Sequence, residues 1–346
     1  MRFEARRIFI RSALAIRCGG TARFRFVEDF GGWFKIVTLS RSACDIVSDE
    51  NMSEAGDKVL ESAENARVNG LYGLSIFDAY RNSPYLSIKH SSYFQVYADL
   101  FDKYRGRPVT FVEIGVLNGG SLFMWREYFG PQARIIGVDL NPEAKRWQMD
   151  GFAIHIGNQG DPEFWREFFL EHGSVDLILD DGGHTYEQQV VTAWSCIPHI
   201  NDGGLLVVED THTSYFREFG YPTKYSFLEW TKKLADNINC RFPSVNVSRH
   251  WFNKYVYSLT VFESIVSFSV DRRKCFISEP TSNNALSLEA CDFRYKGTRI
   301  DVFVERSKAL SARVSFLRRI PGVKAAYQWF LGVVARKRLR KIKKYF

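Results

Sequence analysis

The sequence predicts an α/β fold whose centre is a doubly wound, mostly parallel sheet. Between residues 109 and 239, short apolar runs typical of buried strands alternate with helical patterns, and short turns join them. Repeated strand–helix units of this kind form parallel sheets with right-handed crossovers. Two further β-rich runs, Tyr255–Phe262 and Ile265–Val270, are separated only by Glu263 and Ser264 and predict an antiparallel hairpin at one edge.

The individual elements follow from local patterns. Aromatic residues at helical spacing predict a helix over Ser91–Arg105, ahead of the sheet. The predicted strands are Val109–Ile114, Arg134–Val138, Phe152–Ile156, Val175–Leu179 and Leu205–Val208. The predicted helices are Gly120–Phe129, a short helix after Pro142, Asp161–His172, Tyr186–Ile197 and Ser226–Asn239. In the third of these helices, Asp161 is expected as the N-cap, with Pro162 at the first helical position. The order is that of a Rossmann-like fold.

Patterning divides the chain into five segments. Residues 1–51 show little periodicity, and a helical pattern begins only after Met52, around Asp57–Arg67. We therefore expect residues 1–51 to be an N-terminal extension, either disordered or not native because translation starts at Met52. The other predicted segments are an N-terminal helical region at 52–108, the sheet domain at 109–271, an irregular extension at 272–305 and a basic amphipathic tail at 306–346.

The net charge of +8 is unevenly distributed. From Arg306 onward the chain has 13 Lys and Arg and no Asp or Glu, and residues 1–51 carry +3, so residues 52–305 carry −8. A nucleic-acid enzyme should have a basic surface around its groove, and this body is acidic. We therefore expect a small-molecule or glycan substrate and no nucleic-acid partner.

The basic tail allows two interpretations. Gly322–Ala335, followed by the cluster at 336–344, is typical of an amphipathic segment lying on an anionic membrane surface. The alternative is a packing or dimer helix with a solvated end, which would make the protein a homo-oligomer. No apolar run reaches transmembrane length, and the six cysteines lack paired spacing, which indicates a reducing compartment. The expected location is the cytoplasm, with peripheral contact at the inner membrane face as the first interpretation.

A glycine turn after the first strand of the sheet predicts a nucleotide-type cofactor. Glu113 and Gly115 end the strand, and Gly119 with Gly120 opens the next helix, so that a ligand can approach the backbone closely. Asp139 ends the second strand, where a carboxylate can accept hydrogen bonds from a ribose diol or can cap the following turn. Gln159 or Asp161, after the third strand, is a candidate for contact with an adenine amino group, although Asp161 also serves as an N-cap.

An acidic cluster at the ends of the fourth and fifth strands predicts a metal site. The stretch Asp180-Asp181-Gly182-Gly183-His184 follows one strand, and Glu209-Asp210 follows the next. In an open α/β sheet these strand ends face the ligand crevice. Crowded carboxylates repel each other unless they share a cation or a proton, which favours a hard metal ion with His184 beside it as a base. Asp180 is more simply explained by bonds to backbone donors.

The order of these motifs resembles the class I S-adenosylmethionine-dependent methyltransferases. It is more similar to the metal-dependent macrolide-sugar O-methyltransferases and the cephalosporin hydroxylase-like family, over about His90 to Asn239 and the terminal hairpin. The resemblance implies that S-adenosylmethionine is surrounded by Glu113, Gly115, Gly119, Ser121, Asp139, Gln159, Asp161 and Asp180. It implies that Mg²⁺ is bound by Asp181, Glu209 and Asp210, with His184 as general base.

The implied function is methyl transfer from S-adenosylmethionine to a sugar hydroxyl, in natural-product or polysaccharide biosynthesis. Two residues depart from the family: Asn158 stands where an acid is usual, and the N-terminal region differs from that of the macrolide enzymes. His212 is an alternative base or a substrate contact. The stretch from Lys89 to Tyr93 is expected to line the acceptor pocket, although Tyr93 is equally explained as a core residue. A hydroxylase-like oxygenase and a non-catalytic scaffold stay open as alternative functions.

Overall fold

The computed structural model describes residues 70–242, 245 and 251–286. It also describes the backbone of 14–18, 21–29 and 34–40, and single residues and short stretches between 288 and 345. The chain divides into two compact units, Met1–Glu279 and Pro280–Phe346.

Three strands near the start of the first unit form an antiparallel sheet in the order β1-β2-β3. They are β1 (Leu14–Cys18), β2 (Thr21–Asp29) and β3 (Phe34–Ser40). No strand was predicted here. Arginine and phenylalanine alternate over residues 23–26, and this alternation is a strand signal that the prediction did not use. The predicted helix around Asp57–Arg67 lies outside the described residues.

A seven-stranded sheet forms the centre of the first unit. Its strands are β4 (Thr110–Ile114), β5 (Arg134–Asp139), β6 (Ala153–Ile156), β7 (Val175–Asp180), β8 (Ile200–Val208), β9 (Val256–Phe262) and β10 (Ile265–Val270). Their order is β6-β5-β4-β7-β8-β10-β9. The pairs among β4 to β8 are parallel, whereas β10 pairs antiparallel with both β8 and β9. The predicted doubly wound sheet with an antiparallel hairpin is confirmed.

Among the residues that the structure describes, six α-helices accompany the sheet. They are α1 (Ser75–Asn82), α2 (Tyr93–Phe101), α3 (Gly120–Phe129), α4 (Pro162–His172), α5 (Tyr186–Cys196) and α6 (Phe227–Asn239). The predicted helix over Ser91–Arg105 is shorter, since its last turn is a 3-10 helix at Asp102–Tyr104. The short helix predicted after Pro142 is a 3-10 helix over Pro142–Asp150.

The two faces of the sheet bury two separate hydrophobic cores. Side chains alternate between the faces of a strand, so Phe111 of β4 packs with α1, α2 and α3, and its neighbour Val112 packs with α4, α5 and α6. In β8, Leu205 and Leu206 divide in the same way. Because α1 and α2 contribute to the same core as β4, the helical region before residue 109 packs as part of the sheet domain.

The second unit contains the C-terminal segment. Residues 301–303, 305 and 306 are helical, as are several single residues between 309 and 339, which agrees with the predicted helical tail. Among the residues that the structure describes, no helix combines the length and apolar character that a membrane crossing requires.

Candidate active site

The glycine turn after β4 is held by Asp139 at the end of β5. One carboxylate oxygen of Asp139 accepts from the backbone N–H of Val116 (2.8 Å) and of Leu117 (3.0 Å), and the other accepts from Asn141 (2.8 Å). Gly115 has φ +91°, and a Cβ at this position would collide with the main-chain oxygen of Asp181. The turn therefore brings the ends of β4, β5 and β7 together at one edge.

Glu113 anchors this turn from behind. Its carboxylate is fully buried and accepts hydrogen bonds from Ser121 Oγ (2.8 Å) and Trp125 Nε1 (3.0 Å), which fix the start of α3. Burial disfavours the charged form and raises the pKa of Glu113 to about 7. At the other end of the turn, Gly119 has φ +74° and packs against the Trp147 ring so closely that no Cβ fits.

A buried amide network shapes the turn after β7. Gln159 donates from Nε2 to Asp180 Oδ1 (2.8 Å) and to Thr192 Oγ1 (3.2 Å), and its Oε1 accepts from the backbone N–H of Gly183 (3.0 Å). Burial raises the pKa of Asp180 to about 6. Asp180 Oδ1 also accepts from the Gly182 backbone N–H (3.3 Å), which is the kind of bond that its simpler interpretation predicted. Asp161 accepts from the Glu163 backbone N–H (2.9 Å), so its predicted N-cap role is confirmed.

A first cavity of about 450 Å³ opens at the carboxyl ends of the parallel strands. Its lining includes six of the predicted site residues: Gly115, Asp139, Gln159, Asp181, His184 and Asp210. The apolar side chains of Ile88, Leu117 and Leu140 complete its walls. The predicted site residues that do not line it are Glu113, Gly119, Ser121, Asp161, Asp180, Glu209 and His212.

The three carboxylates predicted to bind metal lie together, but a lysine shares their position. Lys89 Nζ lies 2.5 Å from Asp181 Oδ2 and 3.1 Å from Glu209 Oε2. The other oxygen of Glu209 accepts a hydrogen bond from the Tyr97 hydroxyl, whose pKa burial raises. Burial opposes the charge on Lys89, but the adjacent carboxylates outweigh it and raise the lysine pKa. Lys89 was predicted to line the acceptor pocket and Tyr97 to belong to a helix, so neither contact was predicted.

Asp210 and His184 face each other at the edge of the first cavity. His184 Nε2 is 3.3 Å from Asp210 Oδ2, and His184 Nδ1 is buried without a hydrogen-bond partner in the structure. Both residues have left-handed backbones, with φ of 57° and 54°. Such a conformation is uncommon outside glycine and often marks a functional site.

A second cavity of about 490 Å³ lies on the other side of Asp210. Its polar lining includes His90, Ser92, Tyr93, His212 and Ser264, and its apolar lining includes Leu228, Val261 and Phe262. The Tyr93 hydroxyl donates to Asp210 Oδ1 and lies 2.9 Å from Ser264 Oγ. His90 Nε2 and His212 Nδ1 are each 4.0 Å from Asp210 Oδ1. Of the stretch predicted to line the acceptor pocket, His90, Ser92 and Tyr93 line this cavity.

The donor set fits a divalent cation. Asp181, His184 and Asp210 each offer one ligand atom, and these atoms lie within 4.8 Å of one another. The two carboxylates are partly exposed, whereas Glu209 is buried behind them with bonds to Lys89 and Tyr97. Oxygen-rich sites of this kind suit Mg²⁺. The structure therefore brings two predicted metal ligands, Asp181 and Asp210, together with the predicted base His184. The third predicted ligand, Glu209, is buried beside them.

Comparison with known proteins agrees with this geometry. Residues 112–211 match a family described as a methyltransferase domain. That range covers β4, β5, β6, β7 and β8, and with them both carboxylate-bearing strand ends. The resemblance to methyltransferases that the sequence predicted is therefore confirmed over these residues.

Two of the similar proteins are named as O-methyltransferases of rhamnosyl and olivosyl compounds. The 8-demethyl-8-alpha-L-rhamnosyl tetracenomycin-C 2'-O-methyltransferase of Streptomyces olivaceus is 35% identical over 212 residues, which is 55% of this chain and 51% of that protein. The L-olivosyl-oleandolide 3-O-methyltransferase of Streptomyces antibioticus is 34% identical, over 39% of this chain and 38% of that protein. The chain spans about half or less of the length of these relatives.

Solved structures show the same fold. The MycE methyltransferase of the mycinamycin biosynthetic pathway, in complex with Mg and SAH, matches with a TM-score of 0.51 and 27% identity, over 57% of this chain and 54% of that chain. A second crystal form of that complex matches over 85% of both chains, with a TM-score of 0.52 and 21% identity.

Proposed function

We propose that this protein is an S-adenosylmethionine-dependent, Mg²⁺-dependent O-methyltransferase that methylates a sugar hydroxyl of a glycan or a glycosylated metabolite. One observation carries the proposal: the first and second cavities adjoin at Asp210, which lines the first and bonds to the wall of the second. A methyl donor and a hydroxyl acceptor could therefore meet beside the same carboxylate. Residues 109–271 would carry the donor site, with residues 52–108 completing the acceptor side.

The first cavity suits the methyl donor. Gly115 lets the ligand approach the backbone, Asp139 stands at the end of β5 where a ribose diol would lie, and Leu117 and Leu140 supply apolar contact. S-adenosylmethionine supplies a methyl group on a positively charged sulfur, which is already a strong electrophile. The protein then has to align the donor with the nucleophile and exclude water, and such alignment provides much of the rate enhancement.

The second cavity suits a sugar. Its hydroxyl and imidazole groups can exchange hydrogen bonds with sugar hydroxyls, and Val261 and Phe262 can pack against the apolar face of a ring. Its volume lies in the usual range for small-molecule sites. The relatives act on rhamnosyl and olivosyl groups, which supports a deoxyhexose as the acceptor.

We infer that His184 takes the proton of the acceptor hydroxyl. Asp181 and Asp210 would hold Mg²⁺, whose chemical contribution when bound is to lower the pKa of an adjacent hydroxyl. The Nδ1 atom of His184 is buried, so the proton would pass to Nε2, the atom that faces Asp210. Imidazole has a near-neutral reference pKa, which suits a general base. Lining the second cavity, His212 takes the alternative role of orienting the acceptor.

The proposal is tested by following tritiated methyl groups from S-adenosylmethionine to a panel of deoxyhexosides, beginning with p-nitrophenyl α-L-rhamnoside. We expect Mg²⁺-dependent transfer that Asp210→Asn abolishes while S-adenosylhomocysteine still binds. Full activity in EDTA would remove Mg²⁺ from the mechanism, and full activity of Asp210→Asn would remove the carboxylate at which the cavities adjoin.

The positive charge of the C-terminal tail bears on where the protein acts. We propose a cytoplasmic enzyme whose basic tail at 306–346 contacts anionic lipid, which would suit a lipid-linked glycan as substrate. The tail serving as a dimer helix is the alternative.

A further inference from the structure

Lys89 lies where an external cation would be expected. Its ammonium bridges Asp181, at 2.5 Å, and Glu209, at 3.1 Å, and its side chain is 2% exposed. The two carboxylates come from the ends of adjacent parallel strands, β7 and β8, whereas Lys89 comes from the segment between α1 and α2. The contact therefore joins an N-terminal segment to the centre of the site.

Lys89 itself lines neither cavity. The residue before it, Ile88, lines the first cavity, and the residue after it, His90, lines the second. The lysine ammonium instead contacts Asp181, which lines the first cavity, and the buried Glu209. It has no place in the proposed reaction as a contact to donor or acceptor, so any effect on methyl transfer has to act through Asp181 and Glu209.

Charge explains why a cation belongs at this position. Asp181, Glu209 and Asp210 cluster at one edge of the sheet, and their mutual repulsion destabilises the folded chain unless positive charge is close. A charge pair at contact distance interacts strongly when it is shielded from water. Removing one partner of such a buried pair is costly because the other charge stays buried. Lys89 thus supplies the compensation before any metal ion arrives.

We propose that Lys89 is a positioning residue that acts as the internal counter-ion of the metal site. Its ammonium holds Asp181 and Glu209 in place in the metal-free protein. Asp181 and Asp210 would hold the divalent cation, which would compete with the ammonium for the carboxylates. This inference rests on the proposed function, since it takes Asp181 and Asp210 as metal ligands.

The proposal makes Lys89 a competitor of the metal. Without the lysine, the same carboxylates present more negative charge and have no bond to give up, so the metal should bind more tightly. The metal-free protein should be less stable because the carboxylates lose their only close positive partner among the described residues. Added metal should then restore more stability to the variant than to the wild type.

The test is calorimetric titration of Mn²⁺, as a probe for Mg²⁺, into the full chain and its variants. We expect Lys89→Met and Lys89→Gln to bind Mn²⁺ at least about tenfold more tightly than the wild type. Lys89→Arg keeps the charge and should bind like the wild type. The control, Lys254→Met, removes a charge from an exposed position and should change nothing. Melting temperatures in EDTA and in excess Mn²⁺ should show the stability effect.

The outcomes separate this inference from the function that it rests on. If the wild type binds Mn²⁺ and both neutral variants bind it equally well or more weakly, the role of Lys89 is overturned and the metal site stands. Absence of Mn²⁺ binding by every form would overturn the metal site and the inference together, with S-adenosylhomocysteine binding as the check on the donor site. Variants that fold only in Mn²⁺ would support the proposal, because the metal then replaces the missing ammonium.

Discussion

Asp210 is the residue on which the proposed chemistry converges. Its Oδ2 faces His184 in the first cavity, and its Oδ1 accepts from Tyr93 in the wall of the second. The sequence places Asp210 at a strand end beside Glu209, and parallel strands bring such ends to one edge, so the cluster could be predicted. The role of each carboxylate in the cluster could not be predicted, because that role depends on which oxygen contacts which partner.

Replacing His184 tests its role as the base. We expect His184→Asn to lower the single-turnover methylation rate by about 10²–10⁴-fold, the usual contribution of a general base, while S-adenosylhomocysteine binding is unchanged. Asparagine is chosen because it tolerates the left-handed backbone that His184 adopts. An unchanged rate would transfer the role to His212 or to solvent, and His212→Asn is the matched variant that distinguishes the two.

Glu113 should make stability depend on pH. Its folded pKa of about 7 lies above the ordinary 4.5, so its contribution is fully present below pH 4.5 and is lost as pH rises through 7. Between pH 4.5 and 8 we expect the wild type to lose on the order of 3 kcal/mol of its free energy of unfolding through this group. Glu113→Gln can keep both hydrogen bonds and should not show that loss. Urea unfolding of both forms at several pH values measures it, with the exposed Glu187→Gln as control. Parallel pH curves for wild type and Glu113→Gln would contradict this assignment.

Lys89 shows what residue patterns leave out. It stands 92 positions before Asp181 and 120 before Glu209, so no local spacing links them. The stretch from Lys89 to Tyr93 was predicted to line the acceptor pocket. Its neighbours do so, but lysine's longer side chain reaches the carboxylates instead. Tyr97 fitted the helical pattern of aromatic residues, and no local spacing links its hydroxyl to Glu209.

At the scale of elements, the strands of the main sheet were predictable and their ends less so. The hairpin strand Ile265–Val270 and the helix Gly120–Phe129 have the predicted bounds, since sharp turn signals flank them. By contrast, β8 begins at Ile200, whereas the prediction began it at Leu205. The start was missed because Asn201, Asp202 and two glycines interrupt the apolar pattern. Pairing with neighbouring strands, not local composition, extends it.

The cap of α5 also shapes the active-site turn. Thr185 directly follows His184 and forms a capping box with Gln188, in which each side chain accepts from the other's backbone N–H (3.3 and 3.2 Å). We expect Thr185→Ala to lower the free energy of unfolding by about 1 kcal/mol in urea titration. Thr185→Ser keeps the cap and should stay close to the wild type. Equal losses for both variants would show that the cap is not the cause.

At the scale of the whole molecule, motif order identified the domain and patterning identified the sheet. The matched domain at residues 112–211 contains the strand ends that the sequence singled out. The N-terminal sheet at 14–40 was not predicted, because residues 1–51 were expected to be an extension with little periodicity. The boundary drawn before residue 109 also differs from the packing, since the core of the sheet includes α1 and α2.

The basic tail should govern membrane contact. Its 13 positive charges without an acid favour binding to anionic lipid, an attraction that salt weakens. We expect the full-length protein to sediment with phosphatidylserine vesicles, and residues 1–305 to stay in solution. Neutral phosphatidylcholine vesicles are the control. Equal binding by both forms would exclude a tail anchor, and a dimer of the full-length form alone in light scattering would favour the dimer helix.

The most direct test is the calorimetric titration of S-adenosylhomocysteine into the purified protein. We predict micromolar binding with one ligand per chain, because Gly115, Asp139 and Gln159 line a cavity suited to that ligand. The measurement needs no knowledge of the acceptor sugar. Absence of binding by a sample shown to be folded would contradict the methyltransferase assignment itself.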